Sequence, residues 1–191
     1  MSVGHHGGMS TVRGRLLVAT SAIETGPFRR SVVYLLDHDA DGALGVIVNR
    51  PLESDVDEVL PDWADWVNAP GRLFQGGPVG MDSALAVGVV SDVSVRPVGW
   101  RQTDGRVGLV DLDGPRPHHG DLLGMRVFAG YAGWTPGQLE AEIEEGAWLV
   151  VPAVESDLLS PAPERLWREV LRRQSGEIRY WANLPDDPGQ N

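Results

Sequence analysis

The sequence predicts a single α/β domain, and three observations carry that prediction. The chain has 191 residues, close to the roughly 150 of one ordinary domain and enough to bury about 70% of its unfolded surface. Short β-branched and leucine-rich runs recur along it, each closed by glycine, proline or aspartate. Two segments in the second half carry helical periodicity together with helix-entry chemistry. The Gly- and His-rich residues 1–13 are assigned to a flexible N-terminal tail, 14–181 to the domain, and 182–191 to a flexible C-terminal tail.

Residues 15–20 (RLLVAT) and 31–36 (SVVYLL) read as buried strands separated by the Gly26-Pro27 break. Asp37 to Gly42 follows as a tight turn, because an Asp-Gly pair suits positive backbone angles, and residues 43–48 return as the second arm of a hairpin. Asn49-Arg50-Pro51 ends that arm, since proline has no ladder donor. Apolar residues at Val56, Val59, Leu60, Trp63 and Val67 lie on one helix face, and Pro61 should split the helix. Gly76-Gly77-Pro78 is a loop, followed by strands at 84–90, 107–112, 125–129 and 147–151. The Arg-, Pro- and Gly-rich interval before 107 has no clear pattern.

Thr135-Pro136-Gly137-Gln138 has the form of a capping box. It should open a helix that runs through Glu145 and stops at Gly146. Leu139 and Ile143 form its buried stripe, while Glu140, Glu142, Glu144 and Glu145 occupy the wet side. A last helix near 163–173 stacks Leu166 on Val170 and Trp167 on Leu171, with Arg172 and Arg173 at the negative end of its dipole. Beyond Gly176 the sequence reads as a mobile tail that Tyr180 and Trp181 pin at its start.

Composition removes several chemistries. Cysteine is absent, and all 16 basic residues are arginine, so thiolate nucleophiles, disulfides, Schiff-base lysines and a P-loop lysine are excluded. The formal charge of −11 opposes direct binding to nucleic acid or to an anionic membrane. No stretch approaches the roughly 18 apolar residues of a membrane span, and the opening residues lack a secretory pattern, so a cytoplasmic protein is expected.

The chemical motifs are mostly incomplete. Asp37, Asp39, Asp41 and Gly42 imitate the start of a calcium loop, but Val48 stands where the closing glutamate belongs. No Gly-x-Ser-x-Gly elbow and no dinucleotide fingerprint is present, and His118-His119 are adjacent rather than spaced for one metal. No metal or other cofactor is therefore expected. His38 with Asp37 or Asp39 could form an acid/base pair, although a hairpin-tip histidine with local hydrogen bonds explains it more simply. Trp63 and Trp66 would suggest a partner patch only if both were exposed.

Four motifs occur in order: Gly42-Ala43-Leu44-Gly45 with Asn49-Arg50-Pro51, then Gly76-Gly77-Pro78-Val79, then Gly130-Tyr131-Ala132-Gly133-Trp134, then Gly137-Gln138-Leu139-Glu140. In order and spacing they resemble the AlgH/YqgE-like family of small bacterial proteins, over about residues 14–168. The resemblance implies a mixed, strongly curved, partly barrel-like sheet with outer helices, and supplies no catalytic residue. Two positions depart from the family pattern. Thr20-Ser21 replaces the usual proline after the first strand, and Ala84-Leu85-Ala86 lacks a histidine common there. One branch of the family has a name linked to transcriptional control, but the acidic charge and the lack of a basic helix favour an indirect role.

The leading expectation is a non-enzymatic regulatory domain that binds a small anionic ligand or a protein. Its candidate site is Asn49, Arg50, Gly76, Gly77 and Pro78. Arg50 offers a planar donor fork and the glycines offer backbone donors, provided the fold joins the two loops. The alternatives are an acid/base enzyme using His38 with Asp37 or Asp39, and an indirect transcriptional regulator.

Overall fold

β1 (Arg15–Ala19) and β2 (Val32–Asp39) form where apolar residues run uninterrupted, because this sheet is covered on both faces. Leu16, Val18, Val32, Tyr34 and Leu36 enter one core cluster; Leu17, Ala19, Val33 and Leu35 enter another on the opposite side. The structure is a computed structural model and describes residues 11–185.

β2 turns tightly into β3 (Gly42–Ile47), with Asp39 paired to Gly42. Asp37 to Asp39, expected in the turn, therefore belong to the strand. β4 (Pro51–Asp55) pairs with β5 (Arg72–Gln75), and β6 (Val79–Val90) is followed by β7 (Trp100–Asp104) and β8 (Val107–Val110). β9 (Leu122–Trp134) and β10 (Trp148–Pro152) complete the strands. β4, β5 and β7 escape sequence reading because they are short and polar or broken by proline. Pro51 is tolerated as the first residue of β4, where no ladder donor is needed.

The strand order is β10-β1-β2-β3-β9-β6-β8-β7, with β5 attached to β9 and β4 to β5. All of these pairings are antiparallel except β5 with β9. β9 joins the two halves of the sheet: its last residues pair with β3, and its earlier ones pair with β6 and β5. The sheet curls into a half-barrel. One end curls back on the sheet: Asp104 of β7 comes so near the start of β1 that a Cβ on Gly14 would lie 2.4 Å from its carboxylate.

The main cluster draws residues from both halves of the sheet, Val151 of β10 and Val107 of β8, and so marks the concave side. α4 (Leu166–Arg172) fills that side with Leu166, Trp167, Val170 and Leu171. On the other faces, α2 (Gln138–Glu144) covers Trp134 and Trp148, while α1 (Val56–Val59) and a 3-10 turn over Pro61–Trp66 cover Met125 and Val127. Pro61 thus splits the helix at 55–67 as its missing N–H requires. α3 (Glu155–Leu158) is tied to the end of α4, because the Asp157 carboxylate accepts 2.6 and 2.9 Å bonds from Arg173.

Three sequence expectations change. Gln138 reaches back to accept the Thr135 N–H at 3.0 Å, but the Thr135 hydroxyl bonds the same Gln138 oxygen rather than a helix N–H, and the N-cap is left-handed Gly137. The segment after Gly176 is no loose tail: a 3-10 helix over Gly176–Asn183 packs Ile178, Trp181 and Ala182 against the core. At the other end, the Thr11 hydroxyl and the Val12 N–H both bond to His38, so this part of the expected N-terminal tail is attached. Residues 1–10 and 186–191, the remainder of the expected tails apart from 13 and 182–185, lie outside the described residues. Among the described residues, no helix is long and apolar enough to cross a membrane.

Candidate functional site

The Asn49-Arg50-Pro51 and Gly76-Gly77-Pro78 segments are neighbours. The Gln75 N–H donates to the Arg50 carbonyl and the Ile47 N–H to the Gly76 carbonyl, both at 2.8 Å. Their polar groups do not converge on an open site, however. Asn49 is 5% exposed; its Oδ1 accepts the Val32 N–H at 2.9 Å and its Nδ2 donates to the Arg30 carbonyl at 3.0 Å. Arg50 donates through Nη2 to the Arg29 carbonyl and through Nη1 to the Asn49 carbonyl. Burial, with the nearby Arg29 charge, depresses the Arg50 guanidinium from its ordinary value.

The glycine loop is a packing device. The Gly76 N–H donates to the Ala129 carbonyl at 2.9 Å, and a Cβ on Gly77 would lie 2.2 Å from the Tyr131 carbonyl. β9 bends at Gly130, whose φ is 73°, and the loop fills that bend. The space that a side chain at Gly77 would need is thus filled by β9 backbone; Pro78 is exposed beside it.

What Asn49 and Arg50 do is hold the main chain of Arg29 and Arg30, and those two arginines line a cavity of about 490 Å³. Thr20, Ser21, Ile23, Trp167, Leu184 and Pro185 complete most of its wall. Arg30 has φ 54°, a left-handed angle that costs an L-residue about 1–2 kcal/mol. The ladder bond from Ala19 N–H to the Ser31 carbonyl and the Asn49 bond to the Arg30 carbonyl fix the chain around it. The Arg30 guanidinium stands 4.7 Å over the Trp167 ring, and the Trp167 indole N–H is anchored on the Ala19 carbonyl at 3.0 Å. The result is a cleft with an aromatic side, two guanidinium groups and one carboxylate, that of Glu24. Sequence reading passed over this pair; the signal that could have found it is Arg29-Arg30 itself, adjacent cations after Gly26-Pro27 in a chain of net charge −11. Thr20 and Ser21 also lie in this wall.

His38 is 6% exposed, not an exposed tip residue. A bulge between Leu35 and Asp37 offsets the pairing of β2 with β3 and turns His38 toward α2. Nδ1 accepts the Val12 N–H at 3.0 Å, which leaves the proton on Nε2 to donate to Glu140. That bond holds the Glu140 carboxyl below the ordinary glutamate range. Asp37 accepts the backbone N–H of His38, and Asp39 that of Asp41, so neither carboxylate engages the imidazole. Nor is Glu140 on a purely wet face, and Glu142 accepts weakly from the Trp134 and Trp148 indoles.

Other candidates resolve into structure. Trp63 is 3% exposed and donates to the Leu112 carbonyl, while Trp66 stacks on His119 at 4.6 Å, so the condition for a tryptophan patch fails. Ala84-Leu85-Ala86 lines a second cavity of about 330 Å³ with Arg101 and Asp111. Among the described residues, no group of three or more His, Asp or Glu side chains converges to hold a metal.

Residues 16–179 match the sequence profile of a family described as AlgH-like. A UPF0301 protein of Streptomyces coelicolor is 54% identical over 187 residues, covering 96% of this chain and 97% of its own. One from Thermobifida fusca is 48% identical, covering 95% and 96%. A crystal structure of a Corynebacterium diphtheriae protein superposes with TM-score 0.84 at 33% identity, covering 93% of this chain and 94% of that one. The solution structure of the AlgH protein from Pseudomonas aeruginosa gives TM-score 0.63 at 25% identity, covering 93% of this chain and all of that one.

Proposed function

The chain belongs to the AlgH-like family, and on that premise we propose that it is a non-enzymatic regulatory domain of the cytoplasm that binds a small anionic ligand between Arg29, Arg30 and Trp167. The observation that carries the reading is the cavity of about 490 Å³ into which the fold delivers two adjacent arginines. That volume falls in the range of small-molecule sites, roughly 300–1,000 Å³. Guanidinium groups give charge-assisted, often bidentate bonds to carboxylate or phosphate, and the Trp167 and Ile23 side of the cleft suits an apolar body on the same ligand.

Asn49 and Arg50 enter as supports. They set the position of the Arg29 and Arg30 backbone without facing the ligand. An enzyme built on His38 with Asp37 or Asp39 has less support, because the imidazole is committed to Val12 and Glu140. An indirect transcriptional role is compatible with the ligand reading, as one consequence of binding.

A thermal-shift screen of carboxylate and phosphate metabolites tests the proposal. A ligand at about 100 times its Kd stabilises the fold by about 2.7 kcal/mol. Arg29→Ala or Arg30→Ala should weaken it by roughly tenfold or more, since a bond to a charged group is worth about 1.5–3 kcal/mol. Arg50→Ala should weaken it less, through the Arg29 backbone. The reading fails if no such ligand stabilises the wild type, or if Arg50→Ala and Arg30→Ala leave the shift unchanged.

A further inference from the structure

We propose that the cavity of about 330 Å³ where β8 ends is a second site, built for a small aliphatic α-amino acid bound as its zwitterion. The inference does not depend on the Arg29–Arg30 cleft. Leu109 of β8 lies opposite Val87 of β6 on one side and Arg101 of β7 on the other. Asp111 keeps the register beyond the last ladder pair, because its N–H donates to the Gly99 carbonyl at 2.8 Å. Side chains alternate along a strand, so Leu85, Leu109, Arg101 and Asp111 share one face. Leu85 and Leu109 pack against the main cluster, which makes it the concave face. These two half-buried leucines form the floor of the cavity, and the exposed Arg101, Asp111 and Asp113 stand around it.

The charges around the cavity do not satisfy one another. Arg101 and Asp111 occupy diagonal positions across the β7–β8 ladder, which sit about 7–8 Å apart and lie within reach of long side chains. Among the described residues, however, the Arg101 guanidinium and the Asp113 carboxylate have no hydrogen bond or ion pair, and Asp111 uses only Oδ1, which accepts the Asp113 N–H at 3.0 Å. A group that fills the gap must be an anion at Arg101 and a cation at Asp111 and Asp113.

An α-amino acid meets both demands from one carbon atom. Its carboxylate suits the planar donor fork of Arg101, and its ammonium has three donors for the two aspartates. The side chain is then free to lie on Leu85 and Leu109. A plain carboxylate or phosphate would face two aspartates, and a plain amine would leave Arg101 unpaired. The volume falls at the low end of small-molecule sites, roughly 300–1,000 Å³. A zwitterion also has no net charge, so the chain's −11 does not oppose its approach.

Calorimetry on the full chain tests the site with three probes: L-leucine, isocaproate, which lacks the ammonium, and isoamylamine, which lacks the carboxylate. Leucine should bind at least about tenfold more tightly than either analogue, because each analogue leaves a charged group of the wall without its partner. Arg101→Ala and Asp111→Asn should each weaken leucine by roughly tenfold or more, and the asparagine keeps an Oδ1 acceptor for the Asp113 N–H. In NMR spectra, leucine should shift the amide signals of Gly99 and Asp111 and leave those of Ser21 and Ile23 in place. If either variant melts well below the wild type, the three-probe comparison on the wild type decides. No binding of leucine at millimolar concentration overturns the site, and so does isocaproate binding as tightly as leucine. Leucine that moves Ser21 and Ile23 instead of Gly99 and Asp111 sits in the Arg29–Arg30 cleft, which overturns this site and leaves that one standing.

Discussion

The Arg30 guanidinium lies 4.7 Å over the Trp167 ring while its own backbone holds φ 54°. The side chain is aimed into the cleft by a main-chain angle that glycine adopts freely. Comparing Arg30→Gly with Arg30→Ala separates the two contributions. Both remove the side-chain bonds, but the glycine variant should be more stable by about 1 kcal/mol, because it removes the left-handed cost that alanine keeps. Denaturant midpoints measure the difference. Equal midpoints would mean that the backbone relaxes when the guanidinium is lost.

Asn49→Ala should be among the most damaging polar substitutions. It leaves the Val32 N–H and the Arg30 carbonyl without their partner in a buried setting. Each orphaned group costs about 1–3 kcal/mol, so a loss of roughly 2–6 kcal/mol is expected in urea unfolding. A loss below about 0.5 kcal/mol would show that water satisfies both groups.

Gly77→Ala tests the reading of the glycine loop as packing rather than anion binding. A Cβ 2.2 Å from the Tyr131 carbonyl must displace β9 backbone, not a flexible side chain. A destabilisation of about 3 kcal/mol or more is expected, at the upper end of overpacking costs. Normal thermal stability with weakened anion binding would reverse the assignment.

Glu140 links stability to acid. Its folded pKa is depressed by the His38 bond, so the unfolded chain takes up the proton more readily. The bond therefore stabilises the fold above the unfolded glutamate pKa, and that contribution is lost as pH falls through the depressed folded value. Glu140→Gln should be less stable than wild type at neutral pH and should close the gap below the ordinary carboxylate range. Parallel stability profiles across that range would sink the linkage.

Arg126 is 2% exposed, and burial lowers its pKa to about 10. Nη2 donates to the carbonyls of Ala69 and Ser160 and the guanidinium lies 4.5 Å over Phe74, but Nε and Nη1 meet no acceptor among the described residues. A buried charge with no carboxylate partner is expensive, so Arg126→Met should be neutral or stabilising by about 1 kcal/mol at pH 7. The wild-type penalty is fully present below pH 10 and is relieved as pH rises through that folded value, because the unfolded chain then holds the extra proton. A marked loss of stability in Arg126→Met at neutral pH would show that the two carbonyl bonds outweigh the buried charge.

Much of the fold was legible in local pattern. The uninterrupted runs of β1, β2 and β3 require a sheet buried on both faces, and Pro61 had to break its helix. β4, β5 and β7 were not legible, because four- or five-residue strands with polar side chains are specified by their partners rather than by their own sequence. β9 was read at less than half its length, because the glycines at its bend look like a loop until the Gly76-Gly77 backbone is seen packed into it.

The sequence by itself determined that this is an α/β chain without lysine or cysteine and that it has the AlgH-like motifs, and it named Asn49, Arg50 and the glycine loop as candidates. Only the tertiary structure decided which groups those residues touch. Hydrogen bonds between residues far apart in the chain turned Asn49 and Arg50 into supports for Arg29 and Arg30, and a one-residue bulge turned His38 away from its neighbouring aspartates. Local sequence fixes which groups can bond, but which bonds form depends on the strands that the curl of the sheet brings together.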